Sequence, residues 1–173
     1  MTVERLEPDQ QDQALADLTD ILHTSVLGGA SVGFILPFSP EAAASFWRDK
    51  VFPAVRSGGA HLFVLRDEDK IIGTVQLGLD LPPNQPHRAD VAKLLVHPDH
   101  RRKGVARKLM LHLEAEARSL SKTLLVLDTR SGDPSQSLYA SLGFQVAGEV
   151  PGFCRNPFEE RFEPTTYMYK ALT

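Results

Sequence analysis

Five cations crowd one short stretch of this chain. Arg101, Arg102, Lys103, Arg107 and Lys108 fall within eight positions, with Gly104 and Ala106 among them. An apolar run ending at Val96 precedes them and an amphipathic run comes after, so the cations sit where a strand gives way to a helix. A helix start presents backbone N–H groups that have no intrahelical acceptor, together with the positive end of the helix dipole. Small residues there let an anion approach the amides closely, so phosphate or pyrophosphate is the natural ligand of such a turn. Two other glycine turns do not fit. A P-loop needs G-x-x-x-x-G-K-S/T and a dinucleotide turn needs G-x-G-x-x-G, and the chain has neither at this place. On charge alone, a solvated basic helix start is equally open.

Asp128 closes a second apolar run, Thr123 to Thr129, dense enough to read as a central strand covered on both faces. A carboxylate at the carboxyl end of such a strand faces the crevice where α/β folds bind ligands. Asp128 can therefore hold a substrate ammonium, act as a base or cap the next turn. The six histidines (His23, His61, His87, His97, His100 and His112) show no metal-ligand spacing, and no metal is expected. Cys154, the single cysteine, can form neither an internal disulfide nor a thiolate cluster, which fits a reducing, cytoplasmic setting.

These residues need a scaffold, and its elements are legible in order. Residues 3–7 read as a first strand. Leu15, Leu18, Ile21, Leu22 and Val26 mark one face of a helix over 10–27. Ser39-Pro40-Glu41 starts a second helix, with Ala43, Phe46, Trp47 and Val51 facing inward. Runs 61–65 and 71–77 flank Arg66-Asp-Glu-Asp-Lys70 as a hairpin. A fourth strand, Asp90 to Val96, leads into the basic turn, and the helix after Gly104 turns Ala106, Leu109, Met110, Leu113 and Ala117 inward. The strand ending near Asp128 then lies parallel to the fourth through a right-handed crossover. Asp133-Pro134 starts a short helix ending at Gly143. A sixth strand over 144–150 and a seventh over 165–171 complete the chain, separated by a long loop from Pro151 to Glu163.

Two motifs now give the turn a family. Arg101-x-x-Gly104-x-Ala106 resembles the R/Q-x-x-G-x-G/A signature of the GCN5-related N-acetyltransferase (GNAT) superfamily. Ser137-Leu-Tyr139-Ala-Ser-Leu-Gly-Phe144 resembles its L-Y-x-x-x-G-F signature, in the right order and at the right separation. The resemblance spans residues 3 to 172. It implies an α/β fold in a single domain over 1–173: a mixed, mostly antiparallel sheet of about six to seven strands, splayed between strands 4 and 5, with helices on both faces. It implies acetyl-CoA as donor, with pyrophosphate on Arg101, Arg102, Lys103, Gly104, Val105 and Ala106, and the pantetheine arm paired as a false strand with Leu94, Leu95 and Val96. The family opens that strand with a bulge, which removes alternation as a guide to facing.

Further roles come from the same resemblance. Asp90, in Ala89-Asp90-Val91, stands where many members carry a glutamate base. An aspartate's ordinary pKa of ~3.9 lies far below an alkylammonium's ~10, so this base needs burial, a water chain or a weakly basic amine. Asp90 and Asp128 remain alternatives. Tyr139 resembles the general acid that protonates the departing thiolate, and Gly132 replaces an asparagine that often contacts the cofactor. Stretches 28–34, 88–95, 127–129, 148–154 and 164–172 resemble the tabtoxin-resistance branch, which implies a β-lactam toxin or another small amine as acceptor.

Composition bounds the partners. A net charge of −3 argues against a nucleic-acid binder, and no apolar run approaches membrane-spanning length. The expectation is a cytoplasmic acetyl-CoA-dependent enzyme, monomer or homodimer, acting on a small-molecule amine without nucleic acid or membrane. Cys154, in the late loop and away from the cofactor motifs, argues for direct transfer rather than an acyl-cysteine. A protein or peptide N-acetyltransferase and a non-catalytic CoA-sensing module are the alternatives.

Overall fold

Apolar runs at a period of two, interrupted by amphipathic helices, give strands whose two faces must both be covered. The computed structural model describes residues 1–173. Its elements are β1 (Thr2–Arg5), α1 (Gln11–Leu27), α2 (Pro40–Phe46), a π-helical turn (Trp47–Val51), α3 (Phe52–Arg56), β2 (Ala60–Asp67), β3 (Lys70–Gly78) and β4 (Arg88–Val96). Next come α4 (Val105–Ser119), β5 (Leu124–Arg130), α5 (Pro134–Ser141), β6 (Gln145–Arg155) and β7 (Phe162–Ala171). The strands form one sheet in the order β1-β2-β3-β4-β5-β7-β6, in which only β4 and β5 run parallel. This is the single-domain α/β fold with a mixed, mostly antiparallel sheet that the sequence implies. No helix is long and apolar enough to cross a membrane.

The sheet separates two cores, and β2 shows how. Phe63 and Leu65 point to one face, with Val105, Leu109, Met110 and Leu113 of α4. Leu62 and Val64 point to the other, with Leu18, Ile21 and Leu22 of α1 and Trp47. Gly73 lets α4 lie down on β3, because a Cβ there would come within 2.7 Å of Val105 Cγ1 and 3.1 Å of Leu109 Cδ1. On the other face, Ser39 caps α2 by accepting from the Ala42 amide at 3.0 Å, with Pro40 in the first turn. The π-helical turn then interrupts α-helical spacing. Trp47 is fully buried and donates its indole N–H to the Leu18 carbonyl at 2.8 Å, which fixes α2 to α1.

Three expectations need correction. The long loop after Val150 does not exist, since β6 continues to Arg155 and only residues 156–161 connect it to β7. Pro151 is tolerated because it falls in an irregular stretch of an edge strand, between the Val150–Thr165 and Cys154–Glu163 pairs, where its missing N–H breaks no ladder. The strand carrying Asp128 is covered on one face only: Leu125 and Leu127 are buried, while Asp128 is exposed. Finally, Val105 rather than Ala106 makes the first buried contact of α4.

Truncating Trp47 removes both a large buried ring and the only hydrogen bond of its indole. Trp47→Ala is expected to cost roughly 3–5 kcal/mol in urea unfolding, the range for buried aromatic truncation. A loss below about 1 kcal/mol would contradict its role as the α1–α2 anchor.

Candidate active site

The site begins with a pairing that stops. β4 and β5 are in register only from Arg88 opposite Leu124 to Asp90 opposite Val126. Beyond that point β4 pairs only with β3, and β5 only with β7. A bulge marks the divergence. Gln76 lies opposite Ala92 and Thr74 opposite Leu95, so Lys93 and Leu94 together face Val75, and Lys93 adopts φ +52°. Two strand edges are thus left facing each other across a wedge, each with unpaired peptide groups. Such groups need partners when enclosed, so the wedge suits an extended, amide-bearing ligand. Leu94, Leu95 and Val96 lie along its β4 edge. The Leu95 side chain is committed to the α1–α2 core, and Leu94 and Val96 pack against the α4 core, leaving their backbone to the wedge.

At the carboxyl end of β4 the chain enters the basic turn. Arg102 and Gly104 are both left-handed, at φ +61° and +77°. A Cβ at Gly104 would meet nothing within 4 Å, and the backbone N–H groups from Arg102 to Arg107 have no acceptor in the protein. Arg101 donates Nε–H to the Val96 carbonyl at 3.3 Å, and Lys103 reaches the Asp99 carbonyl at 3.1 Å. Open amides, an empty space above Gly104 and exposed cations make a cradle that fits a pyrophosphate. Val105 and Ala106 contribute backbone to it.

Asp128 faces the wedge from the opposite strand. Its Oδ2 accepts from the Thr165 hydroxyl at 2.8 Å, and the same hydroxyl reaches the Thr129 carbonyl at 3.0 Å. Three further side chains feel the Asp128 charge. Burial pushes the Tyr139 phenol far above its ordinary range, and Asp133 and Asp128 push it the same way. Burial raises the Cys154 thiol, with Asp128 adding to it and a Ser31 hydrogen bond opposing. Burial lowers the Lys93 ammonium, and Asp128 partly restores it. Tyr139 is buried, packs on Phe144 at 5.8 Å between ring centroids, and is held as a neutral donor.

Asp90 stands apart from this group. It is engaged by Arg88, whose Nε–H also donates to Gln85 Oε1 at 2.8 Å. The two candidate carboxylates are therefore not equivalent: one is clamped by a guanidinium, and the other has an oxygen free in the wedge.

Contacts between segments distant in sequence brace the rim beside Asp128. Arg130 donates to the Gly29 carbonyl at 3.0 Å and pairs with Asp133 and Glu163 at 3.0 and 3.4 Å. The Leu36 amide donates to the Pro157 carbonyl at 3.1 Å, and Gly29 lies so close under Phe158 that a Cβ would stand 2.5 Å from its ring. Two segments distant in sequence, 28–34 and 151–163, thus meet through Gly29 and Phe158. Sequence reasoning missed Lys93, Thr165 and Arg130, and it set Cys154 apart. The thiol in fact stands with Ser31 and within the field of Asp128, because the strand β6 carries it there. The one available signal was the expected bulge, which frees the residue at its crest from alternation.

Comparison with known proteins agrees with this geometry. Residues 30–144 match the model of the Acetyltransferase (GNAT) family. An uncharacterized N-acetyltransferase from the hisH-hisA intergenic region of Azospirillum brasilense is 32% identical over 132 residues, covering 75% of this chain and 76% of that protein. Among solved structures, yncA from Salmonella typhimurium, determined with its cofactor acetyl-CoA, superposes with a TM-score of 0.79 at 23% identity, covering 100% of this chain and 94% of that one. Ribosomal-protein-alanine N-acetyltransferase from Brucella melitensis gives 0.80 at 20% identity, covering 99% and 100%. At these identities the two structures speak for the fold.

The raised Tyr139 phenol has a signed consequence. Below pH ~10 the phenol is neutral in folded and unfolded chains alike; above it the unfolded chain ionises first. Folding is then weakened by up to ~1.4 kcal/mol per pH unit until the folded phenol also ionises. Urea unfolding between pH 9 and 11 should show this alkaline loss in the native protein and a shallower one in Tyr139→Phe. Identical slopes would contradict the buried, neutral phenol.

Proposed function

The chain belongs to the GNAT family of acetyltransferases, whose members use acetyl-CoA, and we propose that its acceptor is the primary amine of a small molecule. The observation that carries this reading is the bracing of the 28–39 segment against the strands that bear Asp128 and Cys154. The Arg130–Gly29 hydrogen bond ties the 28–39 segment to the end of β5 and the Leu36–Pro157 bond ties it to the β6–β7 turn, which narrows the approach to Asp128 and favours a compact acceptor over a protein chain. Tabtoxin-like β-lactams and other toxin or metabolite amines are the candidates, and the setting proposed is the cytoplasm, with a monomer or homodimer at work.

Acetyl-CoA supplies an acetyl thioester. In this reading Arg101, Arg102, Lys103 and the amides of Gly104, Val105 and Ala106 hold its pyrophosphate, and the edge formed by Leu94, Leu95 and Val96 pairs with its pantetheine amides. A backbone N–H of that edge stabilises the oxyanion. Asp128 holds the acceptor ammonium and receives its proton directly or through water. Its free oxygen favours it over Asp90, which is tied to Arg88. Tyr139 donates to the departing sulfur. A phenol this buried is a weak acid, so its contribution is a hydrogen bond that strengthens as charge develops there. Cys154 has its thiol raised, which works against an acyl-cysteine.

The test is CoA release across a panel of small amines, tabtoxin-like β-lactams included, beside intact-mass analysis of peptides. Turnover with small amines and none with peptides is expected; the reverse would replace this reading with a peptide acetyltransferase, and CoA binding without release with a sensing module. Tyr139→Phe should lower kcat by about 10²-fold or more while acetyl-CoA affinity stays nearly unchanged. Asp128→Asn should lower it more than Asp90→Asn, and equal losses would leave the base unassigned between them. Gly104→Glu, which aims a carboxylate into the cradle, should abolish acetyl-CoA binding; retained affinity would remove the turn from the donor site.

A further inference from the structure

Lys93 is the least expected residue in the wedge. It sits at the crest of the β4 bulge in the left-handed region, which costs a non-glycine residue on the order of 1–2 kcal/mol. Glycine or asparagine would meet that backbone demand more easily, so the lysine is not there for the turn. Its side chain extends to the α1–α2 side, where Nζ stands 5.5 Å from the centre of the Phe46 ring. Gly33 is its neighbour there, since a Cβ at that position would be in ordinary contact with Nζ at 3.7 Å. The ammonium is largely desolvated, yet it is within the field of Asp128 without forming an ion pair with it. Lys93 makes no ion pair in the protein, so the cation over Phe46 on the α1–α2 side of the bulge is left without a matching anion.

The donor's pyrophosphate does not explain this cation. Its cradle at Gly104 leads into α4, which covers the opposite face of the sheet. The groups around Lys93 belong instead to the acceptor half: Phe46 on α2, Gly33 in the 28–39 segment, and Asp128 on β5.

We propose that Lys93 is a specificity-determining residue that binds a carboxylate on the acceptor, so that the acceptor is an α-amino acid or a close analogue. Its ammonium lies against Asp128 and its carboxylate against Lys93. This rests on the acetyltransferase reading and adds the charge type of the substrate. Phe46 serves as a platform under the lysine, and the left-handed bulge aims it. Binding of the acceptor carboxylate gives the unpaired ammonium its charge-assisted hydrogen bond, which selects for a zwitterion.

The experiment compares matched acceptors: each L-amino acid that is acetylated, its carboxamide and its decarboxylated amine. The wild type should prefer the free acid by about 10- to 100-fold in kcat/KM, the range of one charge-assisted hydrogen bond. Lys93→Gln should raise KM for the acid by a similar factor and leave kinetics with the carboxamide and the affinity for acetyl-CoA within about 3-fold; Lys93→Arg should restore part of the preference. Equal use of acid and carboxamide by the wild type would overturn the proposal. So would a Lys93→Gln loss of equal size on both, which is the signature of a structural role. CoA release with carboxylate-free amines only would sink the carboxylate site and leave the acetyltransferase reading standing. No release with any amine would sink both.

Discussion

The interruption of pairing between β4 and β5 is the constraint on which the rest depends. Three residue pairs of parallel ladder hold the two halves of the sheet together, and past Asp90 and Val126 they part. Parting creates a slot whose walls are backbone, and it also removes the sheet's own means of closing. Other elements must then hold the halves at a fixed angle. α4 lies across β3 and β4 on one face, enabled by the missing side chain at Gly73. On the other, Arg130 and the 156–161 turn tie β5 and β7 to the segment after α1. The wedge is therefore not a tear in the sheet but a braced opening.

Two kinds of chemistry meet in it, and they are built differently. In the proposed reading the donor side is main chain: amides from Arg102 to Arg107, and the β4 edge from Leu94 to Val96. The proposed acceptor side is side chains from four separate elements, with Asp128 as the charge common to the surroundings of Lys93, Tyr139 and Cys154. A main-chain site tolerates sequence change at most positions, whereas a side-chain site is rewritten by single substitutions. That division lets a family with one donor serve many acceptors.

The same division explains what the sequence disclosed. The basic turn, its glycine and the helix after it are local, so spacing alone reveals them. Tyr139 is found by a motif on one short helix. Lys93 was not legible, because a bulge breaks the rule of two that assigns side chains to faces, and no residue near it is unusual by composition. β6 was cut short at Pro151 because proline reads as a strand end, a rule that holds in a central strand and fails at an edge. Thr165 and Arg130 act over separations of 37 and 101 residues, beyond the reach of any local pattern. The preference for Asp128 over Asp90 likewise comes from partners, Thr165 for one and Arg88 for the other, rather than from the residues themselves.

The π-helical turn at Trp47–Val51 has a consequence for how such a pocket diversifies. One extra residue in a helical turn rotates the helix on its amino side by roughly 100° relative to the helix on its carboxyl side. Here neighbouring side chains serve different ends: Trp47 locks into the α1 core, while Phe46 stacks under Lys93 beside Phe34. Deleting a single residue from this turn would restore regular winding and rotate anchor and platform together relative to α3, so that either they or the buried Val51 and Phe52 must leave their places. A length change of one residue, far from the cofactor cradle, is thus a route by which descendants of this chain could exchange one acceptor for another with the donor machinery untouched.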